Sequence, residues 1–224
     1  MAQAIPKNAP DVDALQRLLS DQRKISTEID KQLKKFEELQ EVVSEQNKIS
    51  NEIDKTVSGE KVTQAMMNVT PEKIRGVMST LSKKILAQGK TPVLVLTTTN
   101  YKSIQKVLKE SGVDPEQVLL IDCVTRNVFN AKNTEKIQYV DSLRNLTQLQ
   151  IKVVKVFEKN KDAAFVFDSL DALELYHDEE VIFKFVHSLT KILRQRSLSG
   201  YYLFANKRLT QQMSQFFDSL VEIK

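Results

Sequence analysis

One short stretch, residues 163–169, limits the fold more than any other part of the chain. It reads Ala-Ala-Phe-Val-Phe and ends on Asp168 and Ser169. Five apolar residues without alternation, followed by an acid and a hydroxyl, indicate a strand that is buried on both faces, as in a parallel sheet covered by helices. Ligands of such sheets bind beyond the carboxyl ends of the strands, so Asp168 and Ser169 lie where a ligand is expected.

Strands and helices alternate through the rest of the C-terminal region. Apolar runs predict further strands at residues 92–97, 117–123, 201–205 and 220–223, whereas residues 62–69 are weak strand material. Two helices are predicted to start at Pro71 and at Asp178, and three more are predicted over residues 101–111, 145–159 and 208–217. Residues 125–143 are predicted to form a long loop. This alternation implies parallel crossovers and an α/β fold, a three-layer sandwich around a parallel sheet.

A heptad pattern fills residues 11–60, after a lead-in over residues 1–10 that we expect to be disordered. Alternate steps of three and four residues from Leu15 give thirteen seam positions, of which nine are apolar. A single long helix cannot bury such a stripe, so the pattern predicts a coiled coil between copies of the chain. The apolar seam positions, which we predict to form that interface, are Leu15, Leu18, Ile25, Ile29, Phe36, Leu39, Val43, Ile53 and Val57.

The stripe is broader than a two-stranded seam requires. Leu19, Leu33, Val42 and Ile49 flank the seam and widen it. A bundle of more than two helices would bury such a stripe, and so would a dimer with one face docked on another surface. A helix folded back along its own domain would bury it as well. The predicted division of the chain is therefore a lead-in (1–10), a coiled-coil helix (11–60) and an α/β domain (61–224).

Composition excludes several kinds of site. The single cysteine, Cys123, allows no intramolecular disulfide and no cysteine cluster, and its place in an apolar run predicts a buried core residue. Two histidines leave little material for a zinc site. No apolar run approaches the ~20 residues of a membrane span, and no secretory segment precedes the helix. We therefore expect a cytoplasmic protein without a metal site.

Charge is divided unevenly between the two regions. Residues 11–60 carry a net charge of −4 and residues 61–224 carry +7. A basic domain raises the possibility of nucleic-acid binding, but its bases are interspersed with acids along helices and no RNA-binding aromatic motif is present. Nucleic acid is therefore not the expected partner.

Five segments between residues 93 and 223 carry a family resemblance. They are VLVLTTTNYKSIQKVLKESGVDPEQVLLID, Asn145–Leu146–Thr147, FVFDSLDALELY, GYYLFANK and FFDSLVEI. Together they resemble the KaiC branch of the RecA-like ATPases, and more closely archaeal members that lack the phosphate-binding loop. The resemblance implies a RecA-like sheet in which the strand that ends at Asp168 corresponds to the Walker B strand.

The same resemblance identifies two departures from an active ATPase. An active member would carry a glycine-rich loop, ending in Gly-Lys-Ser/Thr, just before the helix that starts at Pro71. This chain has no glycine between Glu60 and Arg75, Pro71 has no amide proton, and Lys73 is then an ordinary helix charge. The family's catalytic glutamate at the end of the second strand is replaced by the run from Thr97 to Asn100.

These observations predict a non-catalytic RecA/KaiC-like interaction module on a coiled coil, with a role in signalling, regulation or assembly. It would need no cofactor, and its partners would be its own copies and another protein. One alternative is an ATP-binding protein with Mg²⁺ and a modified site formed by Thr97, Thr98, Asp168 and Ser169. A second is a nucleic-acid-binding regulator. Asp168 also has a structural interpretation, as a strand-end carboxylate that caps a neighbouring loop or helix.

Other charged groups follow strand ends as well. Arg126, Lys207 and Arg208 would collect an anion or remain solvated. The acidic cluster from Asp171 to Glu180, which includes His177, would hold a divalent cation or be a solvated helix start. We favour the solvated interpretation for both groups.

Overall fold

The computed structural model describes residues 12–57, 63–127, 131–206 and 211–223. The lead-in over residues 1–10 lies outside these ranges. The chain divides into two compact units, Met1–Asn47 and Lys48–Lys224. What is described of the first unit, from residue 12, is helical. No helix within the described ranges is long and apolar enough to cross a membrane.

In the described part of the second unit, seven strands form one sheet, and every neighbouring pair is parallel. The strands are β1 (Gln64–Val69), β2 (Thr91–Leu96), β3 (Leu119–Asp122), β4 (Ile137–Tyr139), β5 (Ala163–Phe167), β6 (Ser199–Phe204) and β7 (Ser219–Ile223). Their spatial order is β4-β3-β2-β5-β6-β1-β7. The predicted α/β class with a parallel sheet is confirmed.

Helices cover both faces of this sheet. They are the last turns of α1 (Val12–Val57), together with α2 (Ile74–Ala87), α3 (Tyr101–Glu110), α4 (Leu146–Lys159) and α5 (Glu179–Gln195). Apolar residues of α4 and α5 form one core with the strands, and those of α2, α3 and the end of α1 form a second core on the opposite face. The arrangement is a three-layer sandwich.

Strand β5 shows why the apolar run at its centre does not alternate. Phe165 and Phe167 belong to the core with α4 and α5, whereas Ala164 and Val166 belong to the core with α2 and α3. All five of its residues are buried. A strand covered on both faces has no solvent side for a polar residue to occupy.

Local sequence signals set several element ends. Gly89 and Gly112 adopt φ of 72° and 76° just after α2 and α3, a left-handed conformation that glycine adopts without a Cβ clash. The side chains of Asn100 and Asn145 accept hydrogen bonds from N–H groups in the first turns of α3 and α4.

Helix α2 begins later than the sequence suggested. Pro71 and Glu72 lie in a turn, closed by a hydrogen bond from the Lys73 N–H to the Thr70 carbonyl at 3.0 Å. The helix then starts at Ile74 and has no side-chain cap. The proline was therefore correctly placed at a helix entry, but it forms the preceding turn rather than the first helical position.

Two strands differ from their sequence-based assignments. Residues 64–69, described above as weak strand material, form β1 in the interior of the sheet. Its polar Gln64 is buried because its side-chain amide donates to the Leu198 carbonyl at 2.7 Å. The predicted loop 125–143 contains the edge strand β4, and the N–H groups of Ile137 and Tyr139 are satisfied within that loop by Thr134 and Asn133.

The helix predicted over residues 208–217 is described only from residue 211. Within the described residues, Gln211 to Met213 are α-helical and are followed by a 3-10 turn at Ser214–Phe216.

Candidate functional site

A groove lies at the carboxyl edge of the sheet, where the strands of a parallel sheet open towards a ligand. It encloses about 750 Å³. Its walls come from the turn before α2, the loop after β2 and the segment after β5. The residues that matter for its chemistry are Arg75, Thr97, Thr98, Thr99, Ser169 and Asp171. The structure therefore brings together three of the four predicted nucleotide-site residues at the groove, and the fourth, Asp168, lies beneath it.

The carboxylate of Asp168 is buried and occupied by the loop after β2. Its Oδ1 accepts hydrogen bonds from the Thr97 N–H, at 2.8 Å, and from the Thr97 hydroxyl. Its Oδ2 accepts from the N–H and the hydroxyl of Thr98, each at 3.0 Å, and from the Thr99 N–H at 3.3 Å. Five donors from three consecutive residues thus converge on one side chain. Asp168 caps the neighbouring loop, as in its structural interpretation.

Burial and hydrogen bonding act on Asp168 in opposite directions. Burial raises the pKa of this carboxyl group, because a charge inside the protein loses its hydration. The hydrogen bonds from Thr97 and Thr98 lower the pKa and offset part of that effect. The donors therefore stabilise a charge that the core would otherwise disfavour.

Asp122 likewise accepts hydrogen bonds from neighbouring loops at the end of β3. Its side chain accepts from the Tyr101 N–H at 2.9 Å, at the start of α3, and from the N–H groups of Val124 and Thr125 at 2.8 Å each. The Thr125 hydroxyl donates to it as well. Asp122 is fully buried. It therefore ties the β2–α3 connection to the loop after β3.

Asp171 braces the loop after β6. It accepts from the Ala205 N–H at 2.7 Å and from the Asn206 N–H at 3.0 Å, and its neighbour Glu174 accepts from the Asn206 side-chain amide. In the described ranges, no group of three or more His, Cys, Asp or Glu side chains is arranged to hold a metal ion. The carboxylates of this edge are thus used as braces between loops.

A Walker-type site for Mg-ATP, which the RecA resemblance would imply, does not fit these residues. The Asp168 carboxylate has both oxygens engaged by the protein's own donors, and the turn before α2 contains no glycine. At the end of β2, where the family's glutamate would stand, Asn100 caps α3 instead. Phosphoryl transfer needs a phosphate cradle and an available cation ligand together, and Asp168 is already occupied by the loop after β2.

Of the other charged candidates, Arg126 and His177 contact residues of the chain itself. Arg126 pairs with Asp141 at 2.9 Å, and the Nε2 of His177 lies 2.8 Å from the Leu143 carbonyl oxygen. Lys207 and Arg208 lie outside the described residues. Cys123 is buried, as predicted, and burial raises the pKa of its thiol well above the usual range.

Comparison with known proteins identifies the family of this chain. A family of unknown function, DUF7504, matches residues 69–223, which is most of the chain and nearly all of the α/β domain. The chain belongs to this family. No curated protein matches it in sequence.

Among solved structures, this DUF7504 chain is similar to a KaiC-like protein, PH0186, from the hyperthermophilic archaeon Pyrococcus horikoshii OT3. The TM-score is 0.53 at 16% identity, over 71% of this chain and 70% of that protein. At this identity the likeness concerns the fold, and it supports the RecA/KaiC-like assignment of the domain.

Sequence reasoning missed Asp122 and gave no bracing role to Asp171. The signal was nevertheless present, because Asp122 ends an apolar strand in the same way as Asp168 does. Two acids at the ends of two buried strands next to β2 have few solvated positions available, so both were candidates for pairing with loop N–H groups.

A second candidate surface is the apolar stripe of α1 in the first unit. Six large apolar side chains on this helix are each more than half exposed: Ile25, Ile29, Leu33, Phe36, Leu39 and Val43. All but Leu33 were predicted as interface residues. Leu15, Leu18 and Val57 are helical, but their side chains lie outside those described.

Ile53 has a different environment from the rest of the predicted interface. It is fully buried, and with Ile49 it belongs to the core of the second unit. Asp54, one residue further, forms an ion pair with Lys84 of α2. The last turns of α1 therefore pack against their own domain, and Ile53 is already covered within the chain. Of the alternatives left open by the sequence, the intramolecular one holds for this end of the helix.

Proposed function

We propose that this chain is a non-catalytic module of RecA-like fold that acts in assembly or regulation by binding other protein chains. The observation that carries this proposal is the state of the Asp168 carboxylate, whose two oxygens accept five hydrogen bonds from Thr97, Thr98 and Thr99. A catalytic carboxylate has to leave lone pairs for a cation or a water molecule. This one is used to fix a loop.

The stripe on α1 supports the second part of the proposal, which is self-association. Large apolar side chains spaced by three or four residues and more than half exposed lose contact with water only when another surface covers them. A second copy offers a stripe of the same spacing. Self-association would display the α/β domains in pairs, which suits a role as an assembly component.

Titration with Mg-ATP tests the non-catalytic part. We expect no rise in melting temperature at millimolar Mg-ATP and no phosphate release above a protein-free blank. A nucleotide bound at a hundred times its Kd would stabilise the folded state by about 2.7 kcal/mol, which is easily detected. Measurable hydrolysis would contradict the proposal directly.

The groove itself favours nucleotide binding without catalysis as a second candidate. Arg75 is exposed and lines the groove together with Thr98, and a guanidinium is a good partner for phosphate. Arg75→Ala is the variant that tests this candidate, since Arg75 is exposed and its removal leaves the core intact. An ATP-dependent rise in melting temperature that Arg75→Ala abolishes would replace the interaction module with a nucleotide-binding protein.

Sedimentation equilibrium tests the self-association. We expect a concentration-dependent oligomer that Phe36→Ser dissociates, because Phe36 is exposed at the middle of the stripe. Lys34→Ser is the matched control, since it introduces the same residue on the outer face of the same helix turn. A wild-type chain that remains monomeric at high concentration would refute this part.

A further inference from the structure

We infer that two copies of α1 pair antiparallel, about a two-fold axis that crosses the helix between Asp30 and Lys31. This inference rests on the proposed self-association and adds its orientation and register. It commits the exposed stripe to a second copy of the same chain. The argument comes from the charges that flank the stripe.

Charge along the described part of the helix is segregated. Residues 37–45 carry four glutamates and no base, whereas residues 31–35 carry three lysines and no acid. The side chains described in these segments are exposed. These glutamates occupy outer positions of the heptad, so in a parallel, in-register pair the two acidic segments would run alongside each other without direct contact. Their repulsion is therefore weakened by salt, but the facing segment holds no base to offset it.

Antiparallel pairing removes this repulsion. With the axis at residue 30.5, position 41 of one helix lies 21 residues along the axis from position 41 of the other, about 30 Å at 1.5 Å per residue. This separation is several times the Debye length of about 8 Å at physiological ionic strength. The acidic segments therefore lie at opposite ends of the pair, and each lies near the bases Arg23 and Lys24 of the partner helix.

In heptad letters, Ile29 and Phe36 are a positions, Ile25 and Gln32 are d positions, and Glu28 and Lys35 are g positions. Each a position must face a d position of the other helix, so the heptad pattern allows only certain antiparallel registers. In the proposed register, Ile25 faces Phe36 twice by symmetry, and Ile29 faces Gln32 next to the axis. The pairing uses α1 from residue 12 to residue 47, and the midpoint of that stretch lies close to the proposed axis. The turns of α1 that contain Ile49 and Ile53 are not required.

Flanking g positions select this register from its neighbours. In antiparallel pairs, a g residue lies beside a g residue of the partner, and here Glu28 lies beside Lys35 on both sides of the axis. A shift of the register by one heptad in one direction brings Lys35 against Lys35, and a shift in the other direction brings Glu28 against Glu28. Of these three, only the proposed register joins opposite charges without also bringing like charges together. A parallel pair would place Leu33 beside Glu28 and Gln40 beside Lys35, without an ion pair.

Distances between spin labels test the orientation on the full-length chain. Ser20 and Ser44 are exposed and lie off the apolar stripe, and each is replaced by a labelled cysteine in turn. Cys123 stays in place, because a buried thiol does not take up the label. We expect one distance of about 40 Å for Ser44→Cys and one of about 30 Å for Ser20→Cys, from 1.5 Å per residue. Short distances at both positions, in an oligomer of any size, would overturn the inference.

The two labels also report the register. If the helices are shifted by one heptad towards the C-terminus, the long and short distances exchange between Ser20 and Ser44, and the proposed register is wrong. A monomer in sedimentation refutes the self-association itself. A dimer with short distances at both positions refutes only the orientation, so the two failures are distinguishable.

Charge reversal at the flanking pair is the second test. Glu28→Lys places like charges together at two symmetry-related sites, and we expect it to weaken the dimer roughly tenfold at low salt. Adding Lys35→Glu should restore most of the affinity. Lys34→Glu is the control, since it makes the same charge change as Lys35→Glu on the outer face. Equal effects of Lys34→Glu and Lys35→Glu, or no recovery in the double variant, would contradict the proposed pairing.

Discussion

Replacement of Asp168 by asparagine separates a structural carboxylate from a catalytic one. The substitution keeps the size of the side chain but turns one accepting oxygen into a donating NH₂ group. If the NH₂ replaces Oδ2, it faces the N–H groups of both Thr98 and Thr99. If it replaces Oδ1, it faces only the N–H of Thr97, because the Thr97 hydroxyl can turn to the Ser169 carbonyl 3.0 Å away. The second orientation therefore costs less.

The magnitude follows from this orientation. One buried N–H without an acceptor costs about 1–3 kcal/mol. The three bonds to the remaining oxygen are weakened because they lose the charge of the carboxylate. Part of the loss is recovered, since burial raises the pKa of Asp168 and the neutral asparagine avoids the cost of that buried charge. We expect a net loss of about 2 kcal/mol in the free energy of unfolding, and a fall in melting temperature of roughly 4–8 °C for a domain of this size.

Urea unfolding followed by circular dichroism measures this loss. Asp178→Asn is the matched control, because Asp178 is exposed at the start of α5 and its side chain makes no capping hydrogen bond. The control should remain within about 0.5 kcal/mol of the wild type. A residue kept for catalysis often limits stability, so its neutral replacement is neutral or stabilising. An Asp168→Asn variant as stable as the control, or more stable than the wild type, would refute the interpretation of Asp168 as a cap.

Two further outcomes follow from burial along the chain. Ile53→Ala should lower the free energy of unfolding of the α/β unit by about 2–4 kcal/mol, because it empties a fully buried site. Ile29→Ala should leave the stability of that unit unchanged and weaken self-association. Equal effects of the two variants on urea unfolding would contradict the assignment of Ile53 to the core. Cys123 should resist alkylation in the native protein, because its thiol is buried and burial also raises its pKa, and it should react at once in urea. Fast labelling of the native protein would show that the core around it opens readily.

The fold was predictable from the sequence because its strands are buried on both faces. Runs such as residues 163–167 contain no polar residue, so they are recognised as buried strands. The glycines after α2 and α3 mark helix ends, where the chain adopts a left-handed φ. The elements that the sequence did not reveal are those in which tertiary contacts override local pattern. Gln64 in β1 is acceptable inside the sheet only because Leu198 supplies an acceptor for its amide. Strand β4 has three residues, which is too short for periodicity to register.

The candidate site was predictable in its location but less so in its chemistry. A strand ending in Asp-Ser allows a ligand site and a loop cap equally well, and the choice depends on which N–H groups the next loop presents to the carboxylate. That choice is made by the run Thr97–Thr98–Thr99, whose N–H groups converge on Asp168. Along α1, the heptad pattern continues through Ile53 although its environment changes from solvent to core. Periodicity identifies the buried face of a helix but does not identify what buries it.

The two buried acids at the carboxyl edge should act as one network, because they fix the same segment from opposite sides. Asp168 holds Thr97 to Thr99, and Asp122 holds Tyr101 two residues further along the chain. Once one acid is replaced by asparagine, the segment is partly released and the second replacement has less to lose. In a double-mutant cycle we expect Asp122→Asn and Asp168→Asn to be less than additive by about 1 kcal/mol.

Asp171→Asn is the control for this cycle, since Asp171 braces residues 205 and 206 instead. Paired with Asp122→Asn, it should be additive within about 0.5 kcal/mol. Full additivity of Asp122 and Asp168 would mean that each acid caps its own loop independently. Coupling would mean that the two carboxylates hold residues 97–101 at the carboxyl edge as one unit, so that an interaction with another chain has a rigid surface to use.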